Sequence, residues 1–382
     1  MPRIVLVTGV SGYLGSRVAG RLSADPTVER IIGVDTIPPT RADLELLGRS
    51  EFVRADIRSP LIAKVIKQAE VDVVVHAAIT ANPQSAGGRA PMKELNVIGT
   101  MQLLAACQTS ATVRRFVLKS TTAVYGTSPR DPAVFTEEMP AKALPRAGYA
   151  KDAVEVESYV RGFGRRRPDI TVTVLRFANF VGPQVDTTLT RYFALPIVPT
   201  SFGRDPRLQV LHEADAVEVT RRASITDIPG VFNVAGGGAI LLSQAIRRAG
   251  RIGIPLVGRQ AVSLVSSAIR RAGLADVTPD QLQFLYFGRV VDITKLQEEF
   301  GYRPAFTTEQ AFDAFVTQAG IQPVISPTRV RKVEQAALRL VSTCARIERT
   351  TALAFGPSAV RSRVMGQELE RFILSSSGPH DG

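Results

Sequence analysis

The sequence predicts an α/β fold: a doubly wound parallel sheet, a smaller C-terminal substrate lobe and an added C-terminal helical tail. Three observations predict it. Strand-like apolar runs alternate with helix-like amphipathic runs through the first half of the chain. The strand-like runs are near-continuous Val/Ile/Leu, the composition of strands buried on both faces. The first of them opens through a glycine-rich turn directly into a helix. Strict alternation implies parallel pairing, and right-handed crossovers then lay helices on both sides of the sheet.

The elements follow in order. "RIVLVTG" is a strand and residues 13–24 a helix; "RIIGVD" is the second strand, and "FVRADI" precedes a helix near 59–69. "VDVVVHAA" is a strand and 91–109 a helix; "RRFVLKST" is a strand, 149–164 a helix, and "ITVTVLRFAN" a strand. After Asn179 the rhythm breaks into short, proline-containing segments, with "GVFNVAGG" as one more strand and a helix-rich stretch over 242–285. "GYRPAFTTEQAFDAFV" reads as a turn, a cap at Thr307 or Thr308, and a helix. The expected division is 1–179 for the first domain, 180–320 for the lobe and 321–382 for the tail. In that tail Val330, Val333, Ala337, Leu340, Cys344 and Ile347 recur at spacings of three and four, with Arg329, Lys332, Arg339, Arg346 and Arg349 largely off the stripe. Such a basic amphipathic helix packs on its own body or a twin subunit; the alternative is peripheral contact with an anionic membrane.

Composition bounds the function. A chain of 382 residues, 45% hydrophobic, supports one large core or two lobes sharing a cleft. No apolar run is long enough to span a bilayer, and "IVLVTGV" is too short and glycine-bounded for a signal peptide. Two cysteines, Cys107 and Cys344, make no disulfide framework, and no Cys/His cluster has metal-ligand spacing. A cytoplasmic protein without a metal is expected. The net charge of +12 and a pI of about 10.1 favour polyanionic partners, yet the arginines are dispersed and no motif supports nucleic acid. The densest run, "RRRP" at 165–168, reads as a solvated loop.

"VTGVSGYLG" sets Gly9, Gly12 and Gly15 between strand and helix, with Tyr13 and Leu14 in the same turn. Glycines there allow a tight turn and close approach to a pyrophosphate, while the helix N-terminus supplies amide donors. Asp35 closes the next strand, where a carboxylate accepts ribose hydroxyls and repels a 2′-phosphate. The pattern is that of a Rossmann-like dinucleotide site selecting NAD over NADP.

The TGxxGxxG spacing resembles the short-chain dehydrogenase/reductase superfamily, and the rest resembles its extended branch, the NAD-dependent epimerases and dehydratases of nucleotide sugars. The resemblance spans roughly residues 3–318. It implies that Asp56 and Ile57 of "ADI" meet adenine, that Ala77 and Ala78 of "VVHAA" flank the coenzyme, and that Asn96 of "LNVIGT" serves the same site. It assigns Asn179 of "LRFANFVGP" to the substrate side; Asn179, Arg207, with its fork of donors, and Gln209 are candidate contacts to a nucleotide diphosphate. It also implies a homodimer formed by helices 91–109 and 149–164.

The reaction site departs from the family pattern. Thr121 matches the residue that orients the substrate oxygen, and Tyr149 matches the proton-transferring tyrosine. The lysine expected four residues later is Ala153. An unperturbed tyrosine titrates near pH ~10, so holding it as phenolate at pH 7 costs about 4 kcal/mol, part of which that lysine normally removes. Lys151 lies about 200° around the helix and faces away. Lys119 shares a strand face with Thr121 and is placed to supply the missing ammonium; the alternatives are snorkelling to solvent or pairing with Asp152 or Glu155. The Asp-Glu pair typical of the dehydratases is absent after Thr121, which disfavours dehydration. The expectation is an NAD-dependent epimerase or dehydrogenase for a small, nucleotide-sugar-like hydroxylated substrate. The competing expectation is a non-catalytic NAD(H)-binding sensor or scaffold.

Overall fold

Alternating side chains of the first strand pack on opposite sides of the central sheet. Val5 and Val7 join one apolar cluster with Val18 and Leu22, while Leu6 joins another with Ile66, Leu103 and Phe163. Both faces are therefore covered, which is what a continuous apolar strand requires. The computed structural model describes residues 3–81, 83, 86–145, 148–256 and 284–324. Most of the expected tail, and residues 257–283 of the helix-rich stretch, lie outside the described residues.

The main strands are β1 (Arg3–Thr8), β2 (Val28–Asp35), β3 (Glu51–Arg54), β4 (Val73–His76), β5 (Arg115–Thr121) and β6 (Thr171–Phe177). They are followed by β7 (Asn179–Val181), β8 (Ile197–Ser201), β9 (Arg207–Leu208), β10 (Val210–His212) and β11 (Gly230–Val234), then β12 (Ile240–Leu241) and β13 (Ile252–Leu256). Seven form one parallel sheet in the order β11-β6-β5-β4-β1-β2-β3. The chain leaves β1 toward β3, then resumes on the other side at β4. That reversal opens a crevice outside the carboxyl ends of β1 and β4, where open α/β sheets bind ligands.

Helices α1 (Tyr13–Ser23), α2 (Arg41–Leu47) and α3 (Leu61–Gln68) join the first strands. The expected helix at 91–109 is α4 (Arg89–Lys93), a π-helical turn over Glu94–Ile98, and α5 (Gly99–Thr109). The tyrosine-bearing helix is α6 (Gly148–Arg166). Beyond it lie α7 (Thr188–Ala194), α8 (Glu213–Ile225), α9 (Leu242–Arg248), α10 (Thr294–Glu298) and α11 (Thr308–Gln318). Thr307 caps α11 by accepting from Gln310 N, and Gln310 answers to Thr307 N, a capping box. Phe312 of α11 packs with Tyr192, Phe193 and Val198 in a separate cluster, the core of the smaller lobe.

Two expectations change. Residues 252–256 are a strand, paired with β8, where the sequence suggested helix. Arg167 of the "RRRP" run is not a solvated residue. Its guanidinium donates to the carbonyls of Cys107, Gln108 and Ser110 and pairs with Asp169, closing the C-terminal end of α5.

Candidate active site

A cavity of about 1250 Å³ runs along the carboxyl edge of the sheet, from the β2–β3 end past β1 and β4 to the β5–α6 corner. Gly9, Gly12, Tyr13, Leu14, Gly15, Asp35, Ile57, Ala77, Ala78, Lys119, Thr121, Tyr149 and Asn179 all line it. The glycine turn is shaped by contact. Gly9 has φ +74°, and a Cβ there would stand 2.6 Å from Ala78 Cα. A Cβ on Gly15 would stand 2.1 Å from the Gly9 carbonyl oxygen. Gly12 begins α1 with no capping side chain, so the first amides of the helix face the cavity without a competing acceptor of their own. Such a cradle fits a pyrophosphate.

Asp35 is oriented by its surroundings. Its carboxylate accepts from the amides of Ser11 at 3.1 Å and Thr36 at 2.7 Å. Asp56 and Asn96 do not line the cavity. Asp56 is gripped by Arg58, whose Nη2 lies 2.7 Å from Oδ2, and this pair holds the carboxyl below its usual range. Asn96 sits in the π turn, a distortion that turns its side chain inward. Its amide brackets the peptide of Thr80, accepting from N at 3.0 Å and donating to O at 2.9 Å. Asn96 thus shapes the loop after β4.

At the other end, Lys119 and Thr121 share one face of β5, as the two-residue period requires. Lys119 pairs with neither Asp152 nor Glu155: its Nζ donates to the Ile79 carbonyl at 2.8 Å. Burial alone depresses this amine to about 8. Tyr149 hydrogen-bonds Thr121. Burial pushes the phenol well above the ordinary tyrosine range, the Thr121 bond opposes this, and the charges of Asp152 and Glu157 add to the rise. Asp152, fully buried one turn after Tyr149, is neutralised by a two-pronged bond from Arg89 at 2.7 and 2.6 Å. Arg89 also donates to Gly148 O, fixing the start of α6, and it lines the cavity.

Ala153 does not open a gap. It is packed with Val124, Tyr125 and Ala178 in a small apolar cluster. Lys151 is paired with Glu155 at 3.8 Å on the outer side of α6. Beneath the corner runs a buried polar chain. Ser120 donates to Glu157 at 2.5 Å, Arg176 Nη2 binds Glu157 at 2.7 Å, and Arg176 Nη1 donates to the Tyr125 hydroxyl at 2.9 Å. This chain ties β5, α6 and β6 together directly under Thr121.

His76 is a packed residue. Thr8 and Thr100 hydroxyls meet its two ring nitrogens at 2.8 Å each, and burial, with Lys119 nearby, drives it down to about 3. His212 caps α8 by accepting from Ala214 N and stacks on Phe306 at 3.9 Å. Arg207 and Gln209 lie off the cavity. Arg207 donates to Ala133 O, and the buried Gln209 carboxamide is spent on Gly236 O, Val291 O and Val291 N. Two arginines that sequence reasoning missed line the cavity instead. Arg191 is bonded to Asp186 at 2.6 Å, and Arg289 to Gly126 O at 2.8 Å. Arg289 falls inside "GRVVDITKLQEEFGYRP", a stretch that also resembles the extended branch, so a signal was present; Arg191 had none.

The model of the NAD dependent epimerase/dehydratase family matches residues 5–234. The chain belongs to that family. NAD is the family's coenzyme, and the cradle and Asp35 described above are of the kind it needs. Uncharacterised proteins of Mycobacterium tuberculosis and Mycobacterium bovis are 50% identical over 340 residues, 89% of this chain and 90% of theirs. A UDP-glucose 4-epimerase of Mycolicibacterium smegmatis is 25% identical over 308 residues, 78% of this chain and 93% of that one. Among solved structures, an NAD complex of dTDP-glucose 4,6-dehydratase from Bacillus anthracis superposes with a TM-score of 0.64 at 20% identity, covering 83% of this chain and 96% of that one. The UDP-glucose 4-epimerase of Thermotoga maritima gives 0.62 at 20%, covering 82% and 98%. These two share the fold. Among the described residues no helix is long and apolar enough to cross a membrane.

Proposed function

We propose that this family member is an NAD-dependent epimerase or dehydrogenase acting on a nucleotide-sugar-like hydroxylated substrate, working in the cytoplasm. One observation carries the reading: Lys119, Thr121 and Tyr149 share a wall of the same cavity whose far end is the glycine cradle. Bound NAD supplies the hydride acceptor and donor. The first amides of α1 hold its pyrophosphate and Asp35 its adenosine ribose. Thr121 orients the substrate oxygen, and Tyr149 gives or takes the proton at its hydroxyl. Lys119 holds the nicotinamide-side ribose from β5, standing in for the lysine that Ala153 replaces. Its amine turns toward Ile79 rather than Tyr149, so it supports binding more than it acidifies the phenol. Tyr149 therefore works best as a proton donor at neutral pH. Arg289 places positive charge at the substrate end, in keeping with an anionic nucleotide, while Arg191 there is paired with Asp186, and Asn179 lines the same cavity.

The test is to strip and reload the purified chain with NAD, offer a panel of sugar nucleotides, and follow reduced-nicotinamide absorbance and product stereochemistry. Turnover with released NADH gives a dehydrogenase; an inverted sugar without net reduction gives an epimerase. A second reading, an NAD(H)-binding sensor without catalysis, is favoured by the closed apolar packing around Ala153. Tight NAD binding with no change in any sugar nucleotide would establish it over the first.

We also propose that the chain is a homodimer through α5 and α6. Ile98 of the π turn just before α5, Met101 of α5 and Tyr159 of α6 are 45%, 40% and 39% exposed, an apolar surface that a second copy would cover. Sedimentation at micromolar concentration measures it; a monomer throughout would reject it.

A further inference from the structure

The smaller lobe holds a two-stranded sheet with one face packed and the other bare. β8 and β13 pair in parallel, with Ile197 opposite Ile252, Val198 opposite Gly253 and Pro199 opposite Ile254. The inner face lies on α9. Val198 is fully buried there, and a Cβ on Gly253 would stand 3.4 Å from both Ile246 Cδ1 and Thr200 Cγ2. Side chains alternate along a strand, so Ile197, Pro199, Ile252 and Ile254 share the opposite face. Pro199 and Ile252 are half-buried, while Ile197 and Ile254 are 49% and 44% exposed. Parallel strands normally have both faces covered, so an apolar outer face on such a pair calls for a cover.

The described residues end beside that face. After α11 the chain turns back, and the Val324 amide donates to Gly250 O at 3.0 Å while Arg251 Nη1 donates to Gln322 O at 3.0 Å. Gly250 and Arg251 lead directly into β13. Val324 is itself 46% exposed. The apolar stripe that opens with Val330, Val333, Ala337 and Leu340 follows in the sequence, outside the described residues. The lengths agree. The chain from Val324 to Val330 can extend about 20 Å, and Ile254 is about 13 Å along β13 from Gly250. As a helix, Val330 to Leu340 would rise about 15 Å, close to the ~17 Å of a five-residue strand. Residues 330–347 contain no Phe, Tyr or Trp, the anchors of a helix lying in a membrane interface, which favours a protein surface as the seat.

We propose that the apolar stripe of the C-terminal tail docks on the outer face of β8 and β13 in its own chain. The cover then touches the cavity indirectly. Tyr192 of α7 donates to Pro199 O at 2.8 Å, and Leu189 and Arg191 of the same helix line the cavity.

Thiol labelling of the full chain tests this. Cys107 is fully buried and stays silent in the folded protein. In a Cys344→Ser background, Val333→Cys places a reporter on the stripe, and Gln335→Cys places one about 200° around the helix. The Val333→Cys thiol should react at least about tenfold more slowly than the Gln335→Cys thiol. Adding Ile254→Asp should bring the two rates within about twofold, with the far-ultraviolet circular dichroism of the body unchanged. Ile197→Asp should do the same and serves if the first variant does not fold. Equal rates before the face is altered would overturn the proposal. So would a difference that survives both aspartates, which places the cover elsewhere. A difference that disappears on dilution from micromolar to nanomolar chain assigns the seat to a second copy. One that appears only with phosphatidylglycerol vesicles assigns the stripe to a membrane. Either result also rejects docking within the chain.

Discussion

The two ends of the cavity are built by different means. At the glycine turn, backbone meets backbone: the Gly9 and Gly15 positions have no room for one more carbon. At the β5–α6 corner the shape is set by side chains and charge: an amine on a carbonyl, a phenol on a hydroxyl, and a buried aspartate balanced by an arginine 63 residues away in sequence. The first end follows the family pattern and the second departs from it, with Ala153 packed and Lys119 inside the cavity. Steric constraints admit few substitutions. A charge can be delivered from several positions, provided its head reaches the same place.

Substitutions at the two ends should therefore fail differently. The largest effect belongs to Gly15→Ala, which drives a methyl into the Gly9 carbonyl. NAD affinity should fall by about 100-fold or more, with about 3 kcal/mol of stability lost, read by calorimetry and denaturant melts. An alanine variant that binds NAD normally would break the contrast. Tyr149→Phe should leave NAD affinity within about twofold and lower turnover of an identified substrate by about 10²–10⁴.

Lys119→Met sharpens the comparison because it should move two quantities in opposite directions. NAD affinity should fall by about tenfold, while stability rises. The folded-state amine is lowered from 10.5 to about 8, so the protonated form is what burial penalises. That penalty is complete below about pH 8 and vanishes as pH climbs through 10.5. Allowing for partial exposure, the variant should gain about 2 kcal/mol at pH 7 and nothing near pH 10.5, followed by thermal melts across that range. Equal stability at both pH values would show the amine to be unburied.

The smallest effect concerns the phenol. Because Tyr149 is raised, alcohol oxidation by an active chain should still be climbing with pH at the ordinary tyrosine value, while carbonyl reduction stays level there. Asp152→Asn removes one of the charges that raise it and should shift the oxidation limb downward by about half a unit. A limb that stays in place would leave the rise to burial and Glu157.

Much of the fold could be read in advance because apolar periodicity and glycine placement are local signals. β1, β2, β4, β5 and β6 follow from runs such as "IVLVTG" and "VDVVVHAA". The misses have local causes too. α2 is a seven-residue helix held by a Thr40 cap, too short to show a period. The π turn at Glu94–Ile98 is a one-residue register change inside an otherwise regular helical pattern. In the site, Lys119 was legible because a lysine interrupts an apolar strand, whereas Arg58 and Arg89 looked like ordinary surface residues. Their importance comes from Asp56, Glu94 and Asp152, and only the folded chain reveals those pairings. Gln209 shows the converse: the sequence gives its neighbourhood but not the direction of its side chain, which is turned into the backbone of Gly236 and Val291.

The chain of Ser120, Glu157, Arg176 and Tyr125 has an evolutionary consequence. Glu157 and Arg176 are both buried, and losing either partner would strand a charge at a cost of about 3–5 kcal/mol, while exchanging both for well-packed apolar groups can be close to neutral. Descendants of this protein should accordingly keep the two residues together or abandon them together. A lineage caught between those states should carry a compensating change at Ser120 or Tyr125, so the history of the active corner ought to be readable as linked inheritance at positions that never touch a ligand.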